Sequence, residues 1–382
     1  MKVLIVTYND SYDYYTRTKY VENYFTEKGY EVQHLISNFN HRKKEKYIVD
    51  SKRKNVIYLS VPKYKNNISL QRLYSCYVFS KKVKKYILKT NVDVVYHCAP
   101  PNCTIRELSK VRKQKNFFLI TEIGDMWPES MPIDTRLKAL LRIPLTFWAN
   151  FRNKFLYNSD CVIAECNLFK RLLDKDSNAK NISTIYFCKS FMGDEQNESI
   201  LNNRKLAFCY LGSINNIIDI DLIESFFKKI SSINGVEFHI IGDGEKCNEL
   251  ISRVKKTGTE VHYYGMVFND KQKKKIFSQC HYALNIMKKT VCVGMTMKSL
   301  DYFSFGIPII NNIGGDIWDM IDKQNVGYNL NNNNIDEVAE KIVSADYDEY
   351  RMMRINVKKT HAKYFDVNSF ETQLSKALNR GK

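Results

Sequence analysis

Short apolar runs alternate with amphipathic segments along most of the chain. Val3-Leu4-Ile5-Val6-Thr7 is apolar almost throughout, which is typical of a strand buried on both faces of a parallel sheet. Segments with the spacing of helices separate this run from the similar runs that follow. Predicted strands cover residues 3–7, 31–36, 56–59, 92–97, 117–121, 160–164, 182–187, 206–211, 236–241, 261–264, 283–287 and 309–310. This alternation predicts an α/β fold with parallel sheets.

The alternation is interrupted once, by a polar stretch rich in Asn, Glu and Gly at residues 189–205. We interpret it as a linker. The predicted domains are therefore 1–188, an N-terminal acceptor-binding Rossmann-like domain, and 206–365, a C-terminal domain of the same class. Residues 366–382 are expected to form a last helix that packs back on the N-terminal domain. Two such domains, each with loops at the carboxyl edge of its sheet, predict a cleft between them.

The composition and charge of the chain limit the kinds of molecule that the protein is expected to bind. The chain has 382 residues and a net charge of +18, with basic residues scattered over many segments. They are not interleaved with aromatic residues on one predicted face, so no nucleic-acid partner is expected. The ten cysteines show no CxxC spacing and no two histidines lie four apart, so we expect no zinc site and no other metal site. The first loop lacks the Gly-x-Gly-x-x-Gly pattern of dinucleotide binding, and we expect no cofactor. The absence of a signal-like start and of long apolar runs favours a cytoplasmic protein.

The stretch from Thr296 to Pro308 is predicted to form a short helix with defined ends. The residues spaced to face a core are Met297, Leu300 and Ser304. Thr296 can cap its first turn, and Gly306 can adopt the left-handed conformation that stops it. A helix N-terminus beside Lys298 suits a diphosphate, and Asp301 one turn later suits ribose hydroxyls. The alternative is a packed helix whose Lys298 and Asp301 form a surface pair of little energetic value.

A second candidate is the loop 122–130, which follows the predicted strand 117–121. Open α/β sheets place their ligands beyond the carboxyl ends of such strands. Asp125 is a candidate for contact with an acceptor hydroxyl, and a turn-forming role before Pro128 is the alternative. Glu129 is a weaker candidate, for which a charge at a helix N-terminus is the alternative.

Residues 136–157 are rich in Leu, Phe, Arg and Lys, with Pro144 among them. One interpretation is an interfacial patch whose basic side chains meet anionic lipid headgroups. The other is a packed helix pair with a kink at Pro144.

Several of these segments together resemble the GT-B glycosyltransferases, in particular their retaining family-four group. The resemblance is strongest between residues 206 and 315, and its motifs come in the order of that family. In the second half of the chain they are Phe208 to Ser213, Phe238 to Gly244, Val261 to Val267 and Lys298 to Pro308. In the first half, the loop Asp125-Met126-Trp127-Pro128-Glu129-Ser130 looks like a loop of family members that build bacterial cell-surface polysaccharides.

The resemblance implies transfer of a sugar from a nucleotide diphosphate sugar to an acceptor hydroxyl, with retention of configuration and without a metal. It implies that Asp125 orients the acceptor and that Lys288 neutralises the departing diphosphate. The implied donor-binding residues are Gly212, Gly244, Thr296, Lys298, Ser299 and Asp301. The implied partners are the nucleotide sugar, a lipid-linked glycan and an anionic membrane, at the inner face of the cell membrane in surface or capsular polysaccharide synthesis.

Three positions depart from the pattern of the family. The second of its paired Glu residues is Asp301 here, and the first is Val293. Its Arg and Lys are missing from the loop Gly212-Ser213-Ile214-Asn215-Asn216, and its Gly pair is missing from the first N-terminal loop. These departures leave a second hypothesis open: a non-catalytic, glycosyltransferase-like subunit that stabilises or recruits an active transferase.

Overall fold

A computed structural model describes residues 1–9, 17–41, 43–47, 54–131, 133, 135–193, 205–289 and 292–380 of the chain. The chain divides into two compact units, Met1–Tyr186 with Glu371–Lys382, and Phe187–Phe370. The predicted linker 189–205 and the first predicted loop, 8–16, lie largely outside the described residues. Residues 189–193 are described, and they pack within the second unit, where Lys189 N–H donates to Phe365 O over 2.9 Å.

The N-terminal unit is built on a seven-stranded sheet whose strands are all parallel. The strand order is β5-β2-β1-β6-β7-β8-β9. The strands are β1 (Lys2–Thr7), β2 (Glu31–Ser37), β5 (Val56–Leu59), β6 (Val94–Ala99), β7 (Phe118–Ile123), β8 (Cys161–Ala164) and β9 (Ile182–Thr184), and a small hairpin of β3 (Phe39–Asn40) and β4 (Glu45–Lys46) lies apart from the sheet. The central strands are buried and form the core with the helices that cover them.

The helices of this unit are α1 (Arg17–Glu27), α2 (Leu70–Lys89), α3 (Asn102–Arg112), α4 (Thr135–Leu140), α5 (Arg142–Leu156) and α6 (Asn167–Asp176). Ser69 caps α2 by accepting the Arg72 N–H. The break between α4 and α5 falls at Leu141, and Pro144 lies in the first turn of α5. Helical hydrogen bonds continue across the break, from Leu141 N–H to Leu137 O and from Leu145 N–H to Leu141 O. A break three residues before Pro144 agrees with the kink at this proline, because Pro144 has no N–H to donate to Leu140 O.

The C-terminal unit has a six-stranded parallel sheet in the order β12-β11-β10-β13-β14-β15. Its strands are β10 (Lys205–Leu211), β11 (Gly235–Ile241), β12 (Glu260–Tyr263), β13 (Tyr282–Asn285), β14 (Ile309–Asn311) and β15 (Gly327–Asn329). Its helices are α7 (Ile220–Ser231), α8 (Cys247–Lys255), α9 (Asp270–Phe277), α10 (Met297–Ser304), α11 (Asp316–Gln324), α12 (Ile335–Ser344), α13 (Tyr347–Tyr364) and α14 (Val367–Arg380), of which α14 continues into the first unit.

The predicted α/β class with two Rossmann-like units is confirmed by the two parallel sheets. The sequence reading missed α8, α9, α11 and β15. The helix α9, with four lysines in eight residues, has little apolar periodicity, and only its last residues, Ile276 and Phe277, are buried. Within the described residues, no helix is both long and apolar enough to cross a bilayer.

Candidate functional site

Helix α10 begins and ends where the sequence predicts. The side chain of Thr296 accepts the Ser299 N–H over 3.1 Å, and Gly306 has a φ of +74°. The prediction that Met297 faces the core is wrong, since this residue is 57% exposed while Leu300 and Ser304 are buried. At the start of α10, the Thr296 side chain thus caps the helix, and Met297 is exposed to solvent.

A ladder of three asparagines holds this cap. Asn285, Asn311 and Asn329 end the neighbouring strands β13, β14 and β15 and lie in register. The Asn285 amide donates to Asn311 over 2.9 Å, and the Asn311 amide donates to Asn329 over 3.0 Å. At the end of the ladder, Thr296 Oγ1 donates to Asn285 Oδ1 over 3.2 Å. Buried amides that are fully bonded in this way fix the position of the helix N-terminus relative to the sheet.

Lys298, in the first turn of α10, has no carboxylate partner among the described residues. Its Nζ lies 4.6 Å from the centre of the Tyr210 ring. Removal of water from the ammonium lowers the pKa of Lys298 to about 7. A cation that is partly buried without a counter-charge is costly for the folded chain. Such a group is a candidate for binding an anion, because the anion would supply the missing charge.

Asp301 does not pair with Lys298. Its Oδ1 lies 2.5 Å from Lys189 Nζ, and its Oδ2 lies 3.5 Å from Lys273 Nζ. Asp270 contacts the same two lysines, at 3.1 and 3.3 Å. The predicted surface pair of Lys298 and Asp301 is therefore wrong. Asp301 instead belongs to a network of two lysines and two aspartates.

Two loops at the carboxyl edge of the sheet pack so closely that they require glycine. A Cβ on Gly242 would lie 1.9 Å from Gly212 O, and one on Gly244 would lie 2.3 Å from Ile214 O. Both have positive φ values, as does Gly212, at +129°. A Cβ on Gly212 would have the Tyr210 hydroxyl oxygen as its nearest atom, at 4.0 Å. Gly242 and Gly244 thus have a packing role, while Gly212 leaves space beside Tyr210.

Lys288 follows β13 and is exposed. Its backbone N–H donates to Ile217 O over 2.8 Å, and its side chain makes no ion pair within the described part of the chain. Residues 290 and 291 lie outside the described residues. Val293, at the position of the first family Glu, is partly buried and brings no carboxylate.

In the N-terminal unit, Asp125 lies in the loop after β7. It is exposed, and Ser130 Oγ donates to its Oδ1 over 3.2 Å. Crowding by the chain removes water from the carboxylate and raises the pKa of Asp125, against the opposing effects of Ser130 and Arg72. Among the described residues its side chain accepts no backbone N–H, so the Asx-type turn is not seen, although the Asp125 carbonyl oxygen accepts the Trp127 N–H over 3.0 Å.

The rest of this loop is held by one buried arginine. Arg152 of α5 is fully buried and binds both carboxylate oxygens of Glu129, at 2.8 and 2.9 Å. It also donates to Trp127 O over 2.7 Å, and Asn102 donates to the same oxygen over 2.9 Å. Glu129 is therefore an ion-pair partner rather than a charge at a helix N-terminus. It is the partner of Arg152, a long-range contact that the sequence does not reveal.

The comparison with protein families concerns the C-terminal unit. Residues 205–345 match the family model described as glycosyl transferases group 1. The chain carries a glycosyltransferase domain. This makes it a transferase of the EC 2.4 kind that uses nucleotide sugars. No curated protein matches the chain.

Solved structures resemble this glycosyltransferase over its whole length. A sucrose-phosphate synthase from Thermosynechococcus elongatus matches with a TM-score of 0.73 and 12% identity, over 99% of this chain and 98% of that chain. HepE from Anabaena in complex with UDP and glucose matches at 0.66 and 14%, over 99% of both chains. The lipopolysaccharide outer core galactosyltransferase WaaB, in its apo form, matches at 0.64 and 16%, again over 99% of both. At these identities the likeness shows the GT-B fold.

The glycosyltransferase also carries an exposed apolar surface on α4 and the first half of α5. Leu140, Ile143 and Phe147 are 80%, 83% and 73% exposed. Arg136, Arg142 and Lys154 are exposed on the same two helices. The end of α5 is different, because Arg152, Asn153 and Leu156 are buried. The packed interpretation of residues 136–157 thus describes the end of α5, while the first part of the segment is exposed.

The candidate residues fall in both units. Thr296, Ser299 and Lys298 lie together at the start of α10, and Gly212 follows the strand that carries Tyr210. Asp125 lies in the N-terminal unit. Sequence reasoning missed the asparagine ladder and Lys189. The ladder has one sequence signal, an Asn at the end of each of three consecutive strands, whereas nothing in the sequence joins Lys189 to Asp301.

Proposed function

We propose that this glycosyltransferase moves a sugar from a nucleotide diphosphate sugar to a hydroxyl of a lipid-linked glycan, with retention of configuration and without a metal in the reaction. The observation that carries the proposal is Lys298, an unpaired, partly buried ammonium in the first turn of a capped helix. The reaction would belong to the synthesis of a surface or capsular polysaccharide, at the inner face of the cell membrane.

The donor diphosphate would lie at the N-terminus of α10. The Ser299 N–H is accepted by the Thr296 side chain, but the Met297 and Lys298 N–H groups have no intrahelical acceptor and, together with the helix dipole, favour an anion there. Lys298 would add a full positive charge, and Ser299 a hydroxyl. Lys288, exposed after β13, would neutralise the charge that develops on the leaving diphosphate.

Asp301 would bind the ribose with the carboxylate lone pairs that Lys189 and Lys273 leave unused. A carboxylate accepts about four hydrogen bonds, so two lysines do not exhaust it. The two lysines would also fix the orientation of the Asp301 carboxylate. Gly212 would let the donor approach the backbone beside Tyr210.

Asp125 would orient the acceptor hydroxyl. Its carboxylate has one hydroxyl neighbour, Ser130, and is exposed, so it can accept a hydrogen bond from an acceptor. Its raised pKa makes it a stronger base than an ordinary aspartate. The rigid Arg152–Glu129 pair would hold the loop that carries it.

The acceptor's lipid would be reached through the surface of α4 and α5. Exposed apolar side chains next to arginines and lysines favour binding to anionic membranes. Sedimentation with vesicles of phosphatidylglycerol and phosphatidylcholine tests this. Ile143→Ser with Phe147→Ser should abolish binding, while Met266→Ser, which removes an exposed methionine from the other unit, should leave it unchanged. Equal binding by all forms would contradict the membrane proposal.

A non-catalytic subunit is the second candidate, and Val293 and the paired state of Asp301 favour it. A panel of nucleotide sugars tests both. Turnover of one donor, together with a rise in melting temperature on adding UDP or another nucleoside diphosphate, is expected for the transferase. No turnover and no thermal shift with any nucleotide would favour the non-catalytic subunit.

A further inference from the structure

Two short Glu-x-His sequences meet on neighbouring strands of the C-terminal sheet. Glu237 and His239 belong to β11, and Glu260 and His262 belong to β12. The parallel register pairs Glu237 with Glu260 and His239 with His262. Because side chains alternate between the faces of a strand, all four lie on one face. The opposite face of β11 carries Phe238, which belongs to the hydrophobic core.

The side-chain atoms of this cluster lie at distances close to those of metal ligands. Glu237 Oε2 is 3.6 Å from His239 Nε2 and 3.8 Å from His262 Nε2. The ligand atoms of these three residues all lie within 4.8 Å of one another. Three tetrahedral ligands at about 2.1 Å from a zinc ion are about 3.4 Å apart. The two distances from Glu237 would shorten by a few tenths of an ångström on zinc binding. The two imidazole rings, which stack with their centres 4.7 Å apart and 24° between their planes, would also have to turn so that both Nε2 atoms point at the ion.

The cluster contains two buried nitrogen atoms without a hydrogen-bond partner, Nε2 of His239 and Nε2 of His262. His239 is only 2% exposed, and its other ring nitrogen, Nδ1, lies 2.8 Å from the Tyr264 hydroxyl oxygen. When Nδ1 carries the proton and donates it to Tyr264, Nε2 has its lone pair directed at Glu237. Burying an unsatisfied nitrogen destabilises the folded chain, and a metal bound to it would remove that cost.

The charges around the cluster also favour a cation. Lys205 Nζ lies 2.7 Å from Glu260 Oε2 and 3.6 Å from Glu237 Oε1. The remaining oxygens, Glu237 Oε2 and Glu260 Oε1, face the histidines, the latter at 3.4 Å from His262 Nε2. Two carboxylates against one ammonium leave one negative charge when the rings are neutral.

We propose that Glu237, His239 and His262 bind one zinc ion, with Glu260 Oε1 or a water in the fourth position. Imidazole and carboxylate ligands suit zinc, and hard cations such as magnesium prefer sites made of oxygen alone. The ion would tie β12, the edge strand, to β11. None of the proposed donor residues takes part, so the site is structural and separate from sugar transfer.

The test is a zinc titration of the tag-free, full-length protein after chelator treatment. Calorimetry should give one equivalent of zinc, and cobalt in its place should give the visible absorption of a tetrahedral site. Zinc should also raise the melting temperature, because it binds the folded state. His262→Gln removes a partly exposed ligand and should weaken zinc binding by about 100-fold or more.

The matched control is Glu249→Gln, which removes a carboxylate from the surface of α8 in the same unit and should leave zinc binding unchanged. Glu237→Gln should behave like His262→Gln, and circular dichroism checks that both variants are folded. The proposal is overturned when the wild-type protein takes up no zinc, or when His262→Gln binds it as tightly as the wild type. Binding of magnesium or calcium that is insensitive to His262→Gln would also overturn it.

Discussion

Arg152 in the N-terminal unit and Lys298 in the C-terminal unit are both cations withdrawn from solvent. They differ in whether a carboxylate partner is present. Arg152 is fully buried and binds both oxygens of Glu129 together with a backbone carbonyl. Lys298 has an aromatic ring beside it and no carboxylate among the described residues. The paired cation holds a loop in place and needs nothing further. The unpaired cation weakens the fold and is therefore the better candidate for binding a substrate.

The largest expected effect is that of Lys298→Met. We expect kcat/KM for the donor to fall by about 100- to 1000-fold, because a cation directed at the diphosphate is lost. The same change should raise the free energy of unfolding at neutral pH by ~1–3 kcal/mol, since the unpaired ammonium destabilises the folded state. Steady-state kinetics and thermal melting measure the two effects.

The control for Lys298→Met is Lys271→Met, which removes a lysine from the first turn of the capped helix α9. Neither its activity nor its stability should change by more than the usual surface effect of about 0.5 kcal/mol. A Lys298→Met enzyme that is as active as the wild type would remove the basis of the donor site.

Arg152→Met should give the opposite result. It leaves the Glu129 carboxylate without its partner and removes one of the two donors to Trp127 O, so the free energy of unfolding should fall by ~3 kcal/mol. Nucleotide affinity should stay unchanged, because Arg152 lies outside the donor site. Urea unfolding measures this free energy, and Lys154→Met, which changes an exposed lysine of the same helix, is the control variant. Equal stability of the two variants would show that the Arg152 pair has no structural role.

The dependence of donor affinity on pH is the third test. Lys298 has a pKa of about 7 in the empty site, and a bound diphosphate would raise it. Donor affinity should thus be complete below pH 7 and fall as the pH rises towards the pKa of the bound form. We expect a loss of about tenfold between pH 7 and about pH 9, with proton uptake on binding. Calorimetry in buffers of different ionisation enthalpy measures the donor affinity and the proton uptake. A donor affinity that does not depend on pH in this range would contradict the role of Lys298.

The smallest expected effect is on nucleotide binding by variants of Asp301 and Lys189. It distinguishes a role of Asp301 in binding the nucleotide from a structural role in its ion-pair network. Asp301→Asn should weaken nucleotide binding by about tenfold, a loss typical of one hydrogen bond to a charged group. Lys189→Met breaks the ion pair but leaves the carboxylate, so binding should change by only about two- to threefold. Equal losses in the two variants would assign Asp301 a structural role within its network. Fluorescence titration with a nucleoside diphosphate is precise enough for this comparison.

Much of the fold could be predicted because its signals are local. The strand Val56–Leu59 has the predicted bounds, since an apolar run depends only on neighbours in sequence. Helix α9 was missed because its lysine-rich sequence hides a short buried face. Met297 was expected in the core from its spacing alone, but the end of a helix can extend beyond the sheet that covers its middle.

The candidate site was less predictable, because its decisive contacts join distant parts of the chain. Lys298 could be named from its place after Thr296, yet its lack of a carboxylate partner became visible only with the neighbours around it. The partners of Asp301 and Glu129 lie 112 and 23 residues away. The paired Glu-x-His sequences were overlooked because their meeting depends on strand register.

The amino-acid sequence by itself determined the order of strands and helices, the cap of α10 at Thr296 and the glycine that ends this helix. These features follow from the conformational preferences of each residue and its near neighbours. The tertiary structure decided which charged groups found partners and which did not. Ion pairs and cross-strand contacts depend on the distance between side chains, and only the packing of the folded chain sets that distance.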